Sequence, residues 1–431
     1  MKHLKGTRKR PDGKQNVEKR KEDIMKKRDA LELTRRMKKE GCTFTRMCGC
    51  YVNPGKEKVV NFAKTFLNLE DDEFYKYLEI AKKTLSGAVG DQLLPLDFPR
   101  EQEEAGGTQQ FLLGLRESKL KNQELVDRFF DLVIESYDYA GSYLILLFHD
   151  VYDIMTRTTD RQKLDESEEV YEYLICSICP IVLSKPALGY LEQKNEIGPR
   201  LRDKIVSLPE SGFLFPAFHD HSADIHSVVF YTKDAKEPHN EFVEKLLGCA
   251  AKQTATEQKK TFHSIVTASF DEEEADELYV DIQQNLSDMV TEVMEEKADD
   301  YEDTDLILGR QEVEKLMTDS GMEEAKAALV AGRYAEAFET ELPAAEHLVD
   351  AKTLRDGAAK LEKKALKNKV RQLEERVAAY DEEEKTYDVV LRVKPEKERE
   401  IRSAVVDGER CLVIPMRENE YAVVNGVNKK V

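Results

Sequence analysis

Apolar positions change period several times along this chain, and each change marks a different kind of element. From Thr43 they alternate, with Cys42, Phe44, Arg46, Cys48 and Cys50 on one side of a strand and Thr45, Met47 and Tyr51 on the other. The turn Asn53-Pro54-Gly55 leads into Lys58–Leu67, which predicts a hairpin. Glu70–Ser86 has helical spacing and stops at Gly87; Gly106-Gly107-Thr108 reads as a loop with a helix N-cap, and Asn122–Tyr137 as an amphipathic helix. Tyr143–Ile154, Val170–Leu183, Gly212–Phe218 and Ile225–Lys233 are aromatic and β-branched runs between polar, Pro- or Gly-containing loops, so they predict four further strands. Helices return at Asn240–Leu247 and Glu257–Ala268.

Beyond residue 270 the helical period dominates. Leu278, Ile282, Leu286, Met289, Val290 and Val293 keep helical spacing within an acidic run, followed by a linker at Asp299–Asp305. Helical signals continue through Glu312–Val330 and Arg333–Glu341. Leu366, Val370, Leu373, Val377 and Tyr380 then repeat at four-three-four-three spacing on a helix starting near Ala351, a stripe suited to a helical hairpin or short coiled coil. The last segment predicts strands at Tyr387–Val393, Arg410–Pro415 and Tyr421–Val424, a short helix at Pro395–Arg402, and turns at Asp407-Gly408 and Asn425-Gly426. The expected fold class is α+β: a mostly antiparallel sheet with inserted helices (41–270), an acidic helical region (271–384) and a small C-terminal α+β module (385–431), preceded by a basic arm and helix (1–40).

Charge sharpens the two ends of this picture. The chain of 431 residues carries a net charge of −19, yet residues 1–40 hold sixteen Lys/Arg against seven Asp/Glu, so the rest carries −28. Within 1–40, Val17, Ile24 and Leu31 lie seven apart, a stripe that can dock on the body, pair with another helix or stay solvated. Residues 271–305 hold sixteen acidic side chains and one basic, which reads as the solvated face of an amphipathic helix. The best apolar run, Tyr143–Phe148, is far short of the roughly eighteen residues a membrane helix needs, and the N-terminus lacks the apolar core of a signal peptide. The expectation is a cytoplasmic protein with seven reduced cysteines and no membrane partner.

The local wording carries a resemblance. Thr43-Phe-Thr-Arg-Met-Cys-Gly-Cys-Tyr51, Lys83-Thr-Leu-Ser-Gly87, Leu115-Arg-Glu-Ser-Lys-Leu120, Cys176-Ser-Ile-Cys-Pro180, Leu183-Ser-Lys-Pro186, Phe213-Leu-Phe-Pro-Ala-Phe218, Leu247-Gly-Cys249 and Val424-Asn-Gly-Val427 occur in order. Together they resemble a bacterial family, domain of unknown function family 4317, from about residue 25 to the C-terminus. The resemblance implies a family and no activity, cofactor or partner.

Candidate chemistry begins with His219, His221 and His226, three of the chain's eight histidines. Asp220, Asp224 and His226 are the candidate metal ligands, because imidazole and carboxylate bind zinc and other divalent ions and a tight turn at 220–224 would let them converge. The plain alternative is that Asp220 and Ser222 make the turn while His219 and His221 face solvent. Cys48 and Cys50 share a strand face with Cys42, whereas Cys176 and Cys179, three apart, point to opposite faces; burial is the expected state, a four-cysteine site the alternative. Cys48 has Arg46 on the same strand face, a neighbouring cation of the kind a nucleophile requires. Gly106-Gly107-Thr108, or Arg200, Arg202 and Lys204 after Gly198-Pro199, are the candidate anion sites; no phosphate-loop or dinucleotide glycine motif is present.

These residues leave three function classes open. The favoured one is a non-enzymatic binding or regulatory protein acting through a protein partner or self-association, suggested by helical stripes and segregated charge. The second is a metal-dependent enzyme, a hydrolase with a divalent ion at Asp220, Asp224 and His226. The third is a nucleic-acid-associated protein using the basic segment 1–40, which has no aromatic residue to stack on bases.

Overall fold

The computed structural model describes residues 25–154, 169–268, 272–296, 306–384, 388–389, 391–424 and 427–430. Contacts divide the chain into two compact units, 1–354 and 355–431.

The first unit is built on one antiparallel sheet. Its strands are β1 (Arg46–Val52), β2 (Lys58–Thr65), β3 (Leu93–Asp97), β4 (Tyr143–Ile154), β5 (Glu169–Leu183), β8 (Lys204–Val206), β9 (Ser211–Phe215) and β12 (Ser227–Thr232). They lie in the order β2-β1-β4-β5-β9-β12-β3, with β8 extending β5. The predicted hairpin forms: Asn53 turns the chain between β1 and β2, its side-chain oxygen accepting the Gly55 and Glu57 amides at 2.9 and 3.0 Å.

Helices cover both faces of this sheet. One face packs on α3 (Thr108–Glu117), α4 (Gln123–Ser136) and the segment 242–249, through Leu112, Phe129, Val133, Ile145, Leu147 and Phe213. The other packs on α1 (Lys27–Arg36) and α2 (Asp71–Thr84), through Leu33, Phe74, Leu78, Leu146, Phe148 and Leu214. That double cover explains the continuous apolar run of β4, which shows no alternation because Tyr143–Asp150 is buried throughout. Where β9 crosses β5, α2 presses close: a Cβ on Gly212 would sit 2.2 Å from the Cys176 carbonyl oxygen and 2.8 Å from Thr84 Cγ2. Thr84 and Ser177 hydroxyls meet there at 2.6 Å.

Several expected elements are corrected. Gly212–Phe218 is two strands, because Pro216 has no amide to donate to a ladder: β9 ends at Phe215 and β10 (Ala217–His219) pairs instead with β11 (Ser222–Asp224). The apolar stripe of α1 is Met25, Ala30, Leu33 and Met37, whereas Leu31 is 42% exposed; Val17 and Ile24 lie outside the described residues. Phe44 packs on the opposite face from Cys48 and Cys50, since strand geometry begins only at Arg46. Strand β3 and the small hairpin β6–β7 (Leu188–Leu191, Glu196–Pro199) were not foreseen.

A third core is purely helical. The helices α5 (Ala255–Thr267), α6 (Glu272–Glu296), α7 (Arg310–Asp319) and α8 (Glu324–Ala337) enclose Phe262, Ile282, Leu286, Leu316, Val330 and Tyr334. Thr254 and Glu257 form the capping box that starts α5. The helix expected through Val330 breaks at Gly321, whose φ is +91°. Gln283, fully buried, is satisfied at both ends of its amide: it donates to the Leu348 carbonyl at 3.1 Å and accepts the Asp350 amide at 2.6 Å. The linker Asp299–Asp305 lies outside the described residues. No helix among the described residues is long and apolar enough to cross a membrane.

The second unit takes most of α9 (Ala351–Glu384) and adds two hairpins, β13–β14 (Arg402–Val406, Glu409–Val413) and β15–β16 (Tyr421–Val424, Val427–Lys430). Asp407-Gly408 is the expected turn, with φ of +55° and +89°. No strand forms over the described part of 387–393; the helix expected over Pro395–Arg402 spans only Pro395–Glu398, and the strand Arg402–Val406 begins where it was expected to end. Lys397, on the short helix Pro395–Glu398, binds Glu420 at 2.5 Å and Glu400 at 3.3 Å, and the Glu420 contact holds its ammonium above the usual lysine range.

Candidate functional site

The histidine block folds as the hairpin β10–β11, with Ala217 opposite Asp224 and His219 opposite Ser222. Its two turn residues, Asp220 and His221, both have left-handed backbone, φ +43° and +64°, the geometry of a tight two-residue hairpin. Asp tolerates that region better than most side chains because its short carboxylate bonds locally. The turn is therefore 220–221 and not 220–224, and this separates the candidate metal ligands. Asp220 reaches Arg28 at 3.4 Å, Asp224 accepts the His226 backbone amide at 2.9 Å, and the His226 ring meets Glu103 at 2.7 Å. Each side chain has its own partner, and among the described residues no three His, Cys, Asp or Glu gather as a metal site would require.

The other two histidines hold α1. His219 Nδ1 lies 3.3 Å from the buried Asp29, within ion-pair distance but without hydrogen-bond alignment. His221 Nδ1 lies 3.2 Å from Glu32, which also accepts the Tyr152 hydroxyl at 2.5 Å, and the Arg36 guanidinium stacks over the Tyr152 ring at 3.4 Å. His219 is thus largely enclosed, against the expectation that it faces solvent.

Within strands the cysteines fall as their spacing predicts, but Cys42, which precedes β1, packs with Phe44 on the other face and not with Cys48 and Cys50. Cys48, Cys50 and Cys176 share one core and Cys179 the other, so the C-x-x-C pair straddles the sheet. Cys48 and Cys176 stand in one row, both opposite Leu147 of β4, about 9.5 Å apart at two strand spacings. Burial raises every one of these thiols, Cys42 and Cys50 to about 11. For Cys48 the neighbouring Arg46 pulls the other way, and burial outweighs it. A raised thiol is not a thiolate at neutral pH, so none of them has the ionisation a nucleophile needs.

What the sequence did not reveal is a relay across β1, β4 and β5. The Thr45 hydroxyl lies 2.7 Å from His149 Nδ1, and His149 Nε2 lies 2.8 Å from Glu172 Oε1. The ring is fully buried, and burial lowers its basicity despite the carboxylate beside it. A neutral imidazole has one N–H. With Glu172 as a carboxylate the proton sits on Nε2, so Nδ1 accepts and the exposed Thr45 hydroxyl donates. Lys119 approaches the same Glu172 Oε1 at 3.8 Å, from a loop where Lys119 and Leu120 both take left-handed backbone, φ +51° and +56°. Hydroxyl, imidazole and carboxylate in this order orient a proton; residues 45, 149 and 172 are too far apart in sequence for any motif to show them.

The third feature is an apolar arm. Beyond its neighbours in the sheet, β5 pairs with β8, Val182 opposite Ile205, and the chain between them carries the hairpin β6–β7. Leu188, Tyr190, Ile197 and Leu201 are 75%, 59%, 69% and 88% exposed. The arm's cations are partly spoken for: Arg202 donates to the Ser184 carbonyl at 2.7 Å, and Arg200 and Lys194 each lie 3.9 Å from an acid, Asp203 and Glu196. This weakens Arg200 and Arg202 as an anion site.

No curated protein matches the chain. A model of the family described as a domain of unknown function (DUF4317) does match, over residues 25–427, nearly the whole length; with landmarks in order from β1 to the last hairpin, this chain belongs to that family.

Proposed function

We propose that this is a cytoplasmic protein that acts by protein association, with the β5–β8 arm as its docking surface. The observation that carries the reading is the exposure of Leu188, Tyr190, Ile197 and Leu201 on one short arm. Water disfavours each of these side chains by an amount that scales with apolar area, about 25 cal/mol per Å², and clustered exposed residues of this kind mark interaction sites. Lys185, Lys194, Arg200, Arg202 and Lys204 outnumber Glu192, Glu196 and Asp203 on this arm, a net positive charge that favours a partner whose apolar patch has an acidic rim.

A photo-crosslinking residue at Tyr190, expressed in the full chain in cells, tests this. The expected result is one discrete adduct, lost when Leu188→Asp and Ile197→Asp are added. No adduct, or a ladder of adducts indifferent to those substitutions, would sink the reading.

A second reading rests on the basic N-terminal segment, nonspecific nucleic-acid contact through residues 1–40. Part of that charge is engaged within the protein: Arg28 by Asp220, Arg36 by the Tyr152 ring, Lys39 by Asp71 at 2.5 Å. Equal duplex binding by the full chain and by a chain lacking residues 1–40, at low and at moderate salt, would remove the segment from consideration.

A further inference from the structure

Helix α9 is 34 residues long, and over 366–376 it is exposed all round. Leu366, Val370 and Leu373 are 62%, 46% and 50% exposed on one stripe. A lone helix of this kind gains nothing from its own apolar side chains, and isolated helices of about 12–15 residues are marginal in water. The stripe has the spacing that keeps a seam facing a partner helix: Leu366 and Leu373 take position d of a heptad and Val370 position a, with Val377 and Tyr380 next in the sequence at a and d. Valine at a with leucine at d is the combination that favours two strands in parallel.

The flanking charges choose the partner. Positions g are Glu362, Lys369 and Arg376; positions e are Lys367, Glu374 and Asp381. In a parallel pair in register each g faces the e five residues on in the other helix. That sets Glu362 against Lys367 of a second copy, Lys369 against its Glu374 and Arg376 against its Asp381, every contact opposite in sign. Antiparallel pairing sets g against g and e against e. With Val370 over Leu373 of the second copy it would oppose Lys369 to Arg376 and Glu362 to Glu383, like charges that offset its attractive Lys367–Glu374 contacts; shifted by one heptad either way it would oppose Lys369 or Arg376 to itself. An ion pair within α9, Arg371 with Glu375 at 3.8 Å, is at positions b and f, clear of the seam.

We propose that residues 362–381 form a parallel, in-register, two-stranded coiled coil with a second copy of this chain. The seam is short, so the pair exchanges and its population follows protein concentration.

Light scattering on the full chain reads the first consequence: the mass rises from 49.4 kDa toward twice that value as concentration increases. A mass fixed at 49.4 kDa up to millimolar chain overturns the proposal. Leu366→Asp with Leu373→Asp abolishes the rise; because those substitutions threaten the helix itself, charge exchange supplies the second test. Lys369→Glu alone and Glu374→Lys alone each weaken self-association, since each creates like-charge contacts in its own dimer. Mixed together they recover it, and the ratio of mixed to matched dimers rises about threefold above the one-to-one of random pairing. A dimer with no preference for the mixed pair overturns the parallel register, and a dimer indifferent to all four substitutions overturns α9 as its seam.

Discussion

His149 Nε2 lies 2.8 Å from Glu172 Oε1 while the ring, wholly enclosed, also accepts the Thr45 hydroxyl. Burial outweighs the carboxylate, so this histidine is harder to protonate folded than unfolded. A depressed histidine pKa contributes stability that is fully present above the unfolded value, about 6.5, and is lost as pH falls through it toward the folded value. We therefore expect unfolding midpoints to drop on acidification below about 6.5, and His149→Gln to flatten that slope. An unchanged slope in chemical denaturation across this window would remove His149 as its source.

At neutral pH the same residue ties three strands. His149→Leu leaves the Thr45 hydroxyl and Glu172 without their shared partner, and should cost about 1–3 kcal/mol in urea unfolding.

Gly212 is held by contact and not by backbone conformation. Gly212→Ala places a methyl group against the Cys176 carbonyl at 2.2 Å, so β5 and β9 must part or α2 must shift. The expected cost is about 1–3 kcal/mol, with exchange of the Cys176 and Ile178 amides, which face β9, accelerated. Wild-type stability would mean the crossing is looser than described.

Gln283 is the polar counterpart in the helical core. Gln283→Leu keeps the volume and orphans the Leu348 carbonyl and the Asp350 amide, for about 1–3 kcal/mol by thermal or urea unfolding.

The hairpin ligands make a prediction about metal. Asp220, Asp224 and His226 face Arg28, a backbone amide and Glu103, so chelation should leave the unfolding midpoint where it was. Elemental analysis showing a stoichiometric ion that disappears with Asp224→Ala would reverse this and restore the hydrolase reading.

The fold was legible where one apolar run or one period continued uninterrupted. Tyr143–Ile154 is a strand over those very bounds, and Asn122 caps the helix expected after it. It was less legible where a single residue resets the geometry, as Pro216 does by withholding an amide and Gly321 by turning left-handed. The C-x-x-C pair was readable because strand parity alone sends Cys176 and Cys179 to opposite faces. The candidate site was not. Whether Asp220, Asp224 and His226 converge depends on which two residues form the turn, and Thr45, His149 and Glu172 meet only because three strands take one register.

The edge of the sheet has a consequence for how the protein is made. β3 finds its partner in β12, Leu94 opposite Phe230, across the intervening strands and helices. Pairings so distant in sequence close late and slow a folding reaction. During synthesis β3 leaves the ribosome with neither flank paired, and the sheet is completed only after the chain has emerged past Thr232.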